Sequence, residues 1–366
     1  KCLRFREIEL VKKELQFFID KKVPQVKFVD RTFNCRHDHA MAIWTYIHEH
    51  DNGITNFHFE VSADLLNEKE IALINRMRPG LIQLEIGVQS ANEITIREIN
   101  RTMKIDILST IVDKIKKGNN VHQHLDLIAG LPYEGYESFG KSFDRVYKMN
   151  PEQLQLGFLK VLKGSVMHDR AQEYGIVYQD RAPYEVLSTK WLTYAEVIRL
   201  KQIEEMVEVY YNSGQFCCTM AALEQEFASP FCMYECLAAY YDEKNAFAVS
   251  HSRIGRYEIL YDFIVKTCKE RSEQYMEMLT LDMYLRDNVK KRPEFLRESG
   301  VSSDEAAAFY KKEEKERTYL KAYEGYDRRQ MRKMTHLERI DGKTVLFDYK
   351  NRDPLTGNAA IYYLSE

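Results

Sequence analysis

Two apolar runs, Leu81–Val88 and Val121–Ile128, each end in a polar or glycine turn and flank about thirty residues of helical pattern. A strand, a crossover helix and a second strand form a βαβ unit, which requires a parallel sheet. The same rhythm extends in both directions. Val26–Asp30, Asn56–Val61 and Gln153–Phe158 read as further strands, their starts roughly 25 to 40 residues apart. An amphipathic helix over Phe5–Leu15 precedes the first of them with no strand of its own. The pattern predicts an α/β fold, either a (β/α)-barrel or open barrel missing its first strand or a doubly wound sheet.

A chain of 366 residues is long for one domain. The barrel-like pattern covers residues 1–165. Gly164, Gly175 and Pro183 mark residues 166–183 as a linker, and residues 184–366 read as a mainly helical domain. Its end, Val345–Tyr349 and Ala360–Leu364 around a long loop, predicts a closing β-hairpin. The chain opens on Lys1 with a helix already under way, as expected of a piece of something longer.

A formal charge of -3 with 30% charged residues argues against a generally polyanion-binding surface. No apolar run approaches the roughly 18 residues of a membrane helix. Seven cysteines without framework spacing predict reduced thiols and a cytoplasmic setting.

In parallel barrels chemistry sits at the carboxyl ends of the strands. There the sequence places Asp30, Glu60, Glu85, Gln89 and Asp126, which either converge on one site or cap the following helices. His122, His124 and Asp126 alternate along one strand, but about 13 Å of strand separates the first from the last, so packing is favoured over a metal triad. His48 and His50 point away from each other on a helix; with His37 and His39 they read as solvated. Cys217–Cys218 and Cys232–Cys236 raise the zinc question, yet adjacent cysteines seldom share one tetrahedral ion, so core packing is again favoured. The basic stretch Lys311–Lys333 is interleaved with Glu313, Glu314, Glu316 and Glu324 and reads as a solvated helix face rather than a nucleic-acid surface.

Leu84-Glu85-Ile86-Gly87-Val88-Gln89-Ser90, then Asn100-Arg101, then Asp126-Leu127-Ile128-Ala129-Gly130-Leu131-Pro132 resembles the radical S-adenosylmethionine superfamily, in the branch of oxygen-independent coproporphyrinogen oxidases, Elongator-type acetyltransferases and methylthiotransferases. The resemblance implies a partial (β/α)6 TIM-like barrel that binds S-adenosylmethionine across its strand ends. By position it assigns Glu60, Gln89, Arg101 and Asp126 to the cofactor, with Asp30 on the same rim. It also implies a [4Fe-4S] cluster, an electron donor such as a flavodoxin or ferredoxin, and an unknown substrate. The cluster's Cys-x-x-x-Cys-x-x-Cys motif is absent from these residues and Cys2 lacks partners at that spacing, so its ligands are expected upstream of Lys1, with this chain alone inactive.

Ala182-Pro183-Tyr184-Glu185-Val186-Leu187, Glu205–Phe216 and Asp348–Thr356 resemble an uncharacterised carboxy-terminal region of cobalamin-binding radical enzymes, which implies cobalamin in an upstream domain. Tyr210, Tyr211, Asn212 and Arg352 are site candidates on that resemblance. Two other readings stand beside it: a cluster-free barrel serving as an RNA- or protein-binding scaffold, and a metal-dependent barrel hydrolase using His122, His124 or the rim acids.

Overall fold

In the computed structural model, residues 3–364 are described; Cys2 lies outside them. The chain divides into two compact units, one comprising the residues up to Glu208 with Pro230–Glu235, the other Val209–Ser229 with the residues from Cys236 on.

The first unit is built on a five-stranded parallel sheet in the order β1-β2-β3-β4-β5: β1 (Gln25–Lys27), β2 (Asn56–Val61), β3 (Ile82–Gln89), β4 (His122–Ala129) and β5 (Gln153–Phe158). Strands in sequential order joined by helices form a curled half-barrel, the partial TIM-like barrel expected from the sequence. The connecting helices are α1 (Ile8–Asp20), α2 (His37–Glu49), α3 (Glu68–Ile74), α4 (Glu93–Glu98), α5 (Ile105–Lys116) and α6 (Tyr136–Tyr147), and α7 (Val166–Asp169) and α8 (Tyr194–Val207) follow β5. Their buried residues sit at helical spacing, as with Leu108, Ile111, Val112 and Ile115 of α5. α3 begins at a capping box, in which Asn67 Oδ1 accepts from the amides of Lys69 and Glu70 while Glu70 Oε2 accepts from the Asn67 amide. Residues 166–183 hold α7 and the short strand β6 (Val177–Tyr178), which pairs with β7 (Val186–Ser188) inside this unit.

β1 is shorter than the apolar run Val26–Asp30 predicts. The Phe28 amide still donates to the His58 carbonyl at 2.9 Å, but the Phe28 ring stacks on Phe59 and meets Phe33 edge-on, in an aromatic core completed by Trp44. Burying that ring draws the chain out of the strand and leaves Val29 and Asp30 exposed.

The second unit contains α9 (Cys217–Leu223), most of α10 (Pro230–Glu243), α11 (Arg253–Thr267), α12 (Ser272–Arg286), α13 (Ser303–Glu316) and α14 (Arg328–Met334). It ends in an antiparallel sheet of three strands, β8 (Thr335–Ile340), β9 (Lys343–Arg352) and β10 (Ala359–Tyr363), in the order β10-β9-β8. The expected hairpin is β9–β10. The third strand, β8, joins β9 through a turn with Asp341 and Gly342 at positive φ. Among the described residues no helix is long and apolar enough to cross a membrane.

Candidate functional site

Strand register decides which polar side chains meet. Lys27 pairs with His58, Glu60 with Glu85, Glu85 with His124, and Gly87 with Asp126. Alternation therefore sets Lys27, His58, Glu60, Glu85, His124 and Asp126 on one face of the sheet. Phe57, Phe59, Leu84, Ile86, Leu125 and Leu127 fill the other and are buried.

At its carboxyl end β3 bulges. Gly87 pairs with Asp126 and Gln89 with Leu127, so Val88 is the extra residue, and Gln89 adopts φ +70°. The bulge re-aims Gln89, whose Nε2 donates to Asp126 Oδ2 at 3.0 Å. Arg101 arrives from α4, which ends in a Schellman motif: the Asn100 amide donates to the Arg97 carbonyl and the Arg101 amide to the Ile96 carbonyl. Asn100 supplies the left-handed residue that motif needs, at φ +56°. Arg101 Nη1 then donates to the Gly87 carbonyl at 2.8 Å. Glycine at 87 leaves room for both side chains, since a Cβ there would stand 2.8 Å from Gln89 Nε2 and 3.4 Å from Arg101 Nη1 and would displace them.

Burial pushes the Asp126 carboxyl up to about 7, helped by the nearby charges of Glu85 and Glu60 and opposed by Arg101 and the Gln89 hydrogen bond. Its Oδ1 is buried without a hydrogen-bond partner. Glu60 is also raised, by burial and by Glu85, against Lys27, Arg101 and Arg31. Burial raises Glu85 too, but Lys27, 3.0 Å away, outweighs it and holds that carboxyl below its ordinary value. His58, His122 and His124 are all lowered by burial, against the raising influence of Glu85 on His58 and His124 and of Glu152 on His122. The rim thus offers carboxylates able to accept from an ammonium or hydroxyls. Beside them Arg101 lines a cleft of about 590 Å³ with Ser90, Arg97 and Lys104, able to pair with a carboxylate.

Four of the five residues expected at the site, Glu60, Gln89, Arg101 and Asp126, are linked by hydrogen bonds or charge interactions. Asp30 lines a separate cavity of about 660 Å³ with Phe5, Leu15, Phe28 and Phe33, and among the described residues no hydrogen bond or ion pair joins it to the other four. Lys27 and His58 escaped the sequence reading: period-2 alternation marks them as facing residues, but only the register shows that they meet Glu85.

The remaining candidates have structural partners. His37 Nδ1 lies 3.0 Å from Glu70 Oε1, the His39 ring meets Phe5, and the His50 ring stacks on Tyr46. Tyr210 is buried, its hydroxyl 2.6 Å from that of Tyr241 and donating to the Arg256 carbonyl. Arg352 Nη1 donates to the carbonyls of Arg286 and Gly357. Among the described residues, the grouping of three side chains close enough to hold one metal ion is Cys217, Cys218 and Asp282. His122, His124 and Asp126 do not form one, so the hydrolase reading is not favoured. No three thiols converge at the strand ends either, so no ligand set for an iron–sulfur cluster lies among the described residues.

Residues 1–146 match the radical SAM superfamily, and residues 172–354, half of the chain, match a family described as protein of unknown function DUF4080. The oxygen-independent coproporphyrinogen III oxidase of Salmonella typhimurium is 29% identical over 107 residues, 28% of this chain and 23% of that protein. The chain spans about a quarter of the length of the curated relatives it matches. Among solved structures, the radical S-adenosylmethionine methyltransferase TsrM from Kitasatospora setae, with cobalamin and a [4Fe-4S] cluster bound, aligns with a TM-score of 0.41 at 13% identity over 48% of this chain and 33% of that one. Escherichia coli coproporphyrinogen III oxidase, HemN, aligns with a TM-score of 0.33 at 18% identity over 42% and 38%. The matches to residues 1–146 and 172–354 show that the chain belongs to the radical SAM superfamily and, through its carboxy-terminal half, to the DUF4080 family.

Proposed function

We propose that the first unit binds S-adenosylmethionine at the carboxyl ends of β2, β3 and β4 and forms the cofactor-binding part of a radical enzyme. The observation that carries this is the Asp126 carboxyl, pushed up to about 7 by burial, with Oδ2 held by Gln89 and Oδ1 buried and unpartnered, while the neighbouring Arg101 lines a cleft of its own. A buried acceptor without a donor is costly, and a ligand bearing hydroxyl or ammonium donors relieves it. Arg101 pairs with the methionyl carboxylate, Glu60 accepts from the ammonium, and Gln89 and Asp126 hold ribose hydroxyls or the ammonium. Asp30 belongs to the outer edge of the same rim.

Arrival of those donors favours the Asp126 carboxylate over its neutral acid, so binding near neutral pH releases a proton. When bound and reductively cleaved, S-adenosylmethionine supplies the radical or methyl group of the reaction. This chain's residues bind it, orient it and exclude water. The intact enzyme performs hydrogen abstraction or methyl transfer on its substrate, drawing electrons from a flavodoxin- or ferredoxin-like donor in the cytoplasm, with the [4Fe-4S] cluster and any cobalamin held outside these residues.

Calorimetric titration with S-adenosylmethionine, in buffers of different ionisation enthalpy, tests the reading. One site per chain with proton release, weakened roughly 10- to 100-fold by either Arg101→Ala or Asp126→Ala, is expected. Absence of binding, or binding that both variants leave unchanged, refutes it.

A further inference from the structure

The second unit contains a cluster that the proposed cofactor site does not use. Cys217 and Cys218 open α9, and Asp282 reaches them from α12. One donor atom from each lies within 4.8 Å of the other two, and Cys217 Sγ is 3.4 Å from Asp282 Oδ1. Asp282 is buried, with Oδ1 accepting from the Cys218 amide at 2.9 Å and Oδ2 from the Thr219 amide at 2.8 Å. Capping of α9 accounts for those two amide contacts. A thiol hydrogen bond accounts for Cys217, which donates to Oδ1, but neither accounts for the second thiol, Cys218, gathered against the same carboxylate.

Two further observations favour a cation. Among the described residues no lysine, arginine or histidine forms an ion pair with Asp282, whose contacts are the Cys217 thiol and the amides of Cys218 and Thr219, so no cation faces this buried acid. The spacing also suits coordination. With metal–sulfur and metal–oxygen bonds of about 2.3 and 2.0 Å, a tetrahedral site has an S···O edge of about 3.5 Å, close to the 3.4 Å between Cys217 Sγ and Asp282 Oδ1.

We propose that Cys217, Cys218 and Asp282 form a binding site for a soft divalent cation of the zinc type. Adjacent cysteines alone make a poor tetrahedral pair, and the structure supplies the donor they lack from a second helix. Binding expels the two thiol protons to solvent and forms two metal–thiolate bonds and one metal–carboxylate bond. Two thiolates, one carboxylate and a divalent ion sum to one negative charge. Cys217 is exposed, leaving the fourth position open to water. The ion would tie α9 to α12 within the second unit.

The test uses the whole chain, reduced, stripped with chelator and titrated anaerobically with Co2+ and then Zn2+. We expect one Co2+ per chain, with thiolate-to-metal charge transfer and tetrahedral d–d bands that Zn2+ abolishes. Cys217→Ser and Cys218→Ser should each weaken binding by at least about 100-fold, since even groups behind the ligands cost 10- to 100-fold; a Cys232→Ser/Cys236→Ser double variant should leave it unchanged. Zn2+ should also protect Cys217 and Cys218 of the unsubstituted chain from alkylation, a readout that needs no variant to fold. No thiolate bands in the unsubstituted chain, bands that survive both serine substitutions, or a Cys217–Cys218 disulfide persisting in the reduced protein would overturn the proposal.

Discussion

Replacing Asp126 with asparagine separates stability from cofactor binding at one atom. Burial, with Glu85 and Glu60 nearby, lifts this carboxyl from 3.8 to about 7. At ~1.4 kcal/mol per tenfold change in acidity, the ionised form is penalised by up to about 4 kcal/mol in the folded chain, and water reaching the rim reduces that to roughly 2–4. A carboxyl whose pKa is raised on folding imposes no cost below the unfolded value near 3.8. As the pH climbs from there to about 7 the unfolded chain loses its proton while the folded chain keeps it, so stability falls and then levels off.

The amide introduced by Asp126→Asn cannot ionise, yet keeps an acceptor for Gln89 Nε2. The variant should therefore match the natural chain near pH 4 and exceed it by about 2–4 kcal/mol at pH 8, while losing affinity for S-adenosylmethionine. Urea unfolding followed by tryptophan fluorescence reads the first unit specifically, because both tryptophans, Trp44 and Trp191, belong to it. Parallel stability curves for the two proteins from pH 4 to 8 would refute the assignment of a buried, neutral acid.

Three other substitutions probe the same unit. Gly87→Ala puts a methyl 2.8 Å from Gln89 Nε2; since flexible side-chain ends can yield, the melting temperature should move little, whereas calorimetry should show S-adenosylmethionine binding weakened by roughly 10- to 100-fold as Arg101 and Gln89 are displaced. Phe59→Ala empties the centre of the aromatic core, where the Phe28 and Phe33 rings lie 4.5 and 4.4 Å away, and should cost about 3–5 kcal/mol in urea unfolding. Asn67→Ala removes the α3 cap and should cost about 1 kcal/mol, with Asn67→Asp restoring most of it in the same measurement.

The parallel strands were readable because each carries a period-2 or continuous apolar run between turn residues, and that signal is local. Asn100–Arg101 was readable as a motif, and the Schellman geometry supplies its physical meaning. β8 escaped notice because Thr335–Ile340 follows a basic helix and includes Glu338 and Arg339 among its six residues; pairing with β9 makes it a strand. Glu338 is tolerated inside because Arg292 reaches it. Asp282 escaped for a similar reason. Nothing near it in the chain marks it as a partner of cysteines 64 and 65 residues away.

By itself the sequence determined the order of elements, the parallel pairing of the strands, and which residues within one strand share a face, since side-chain direction follows from local backbone period. Tertiary structure alone decided that Gly87 lies opposite Asp126, that a bulge at Val88 turns Gln89 onto that acid, and that Arg101 returns to the Gly87 carbonyl. Register is a property of two strands at once. Because a slip of one residue would send every side chain to the opposite face, the chemistry of the rim exists only once β2, β3 and β4 have paired.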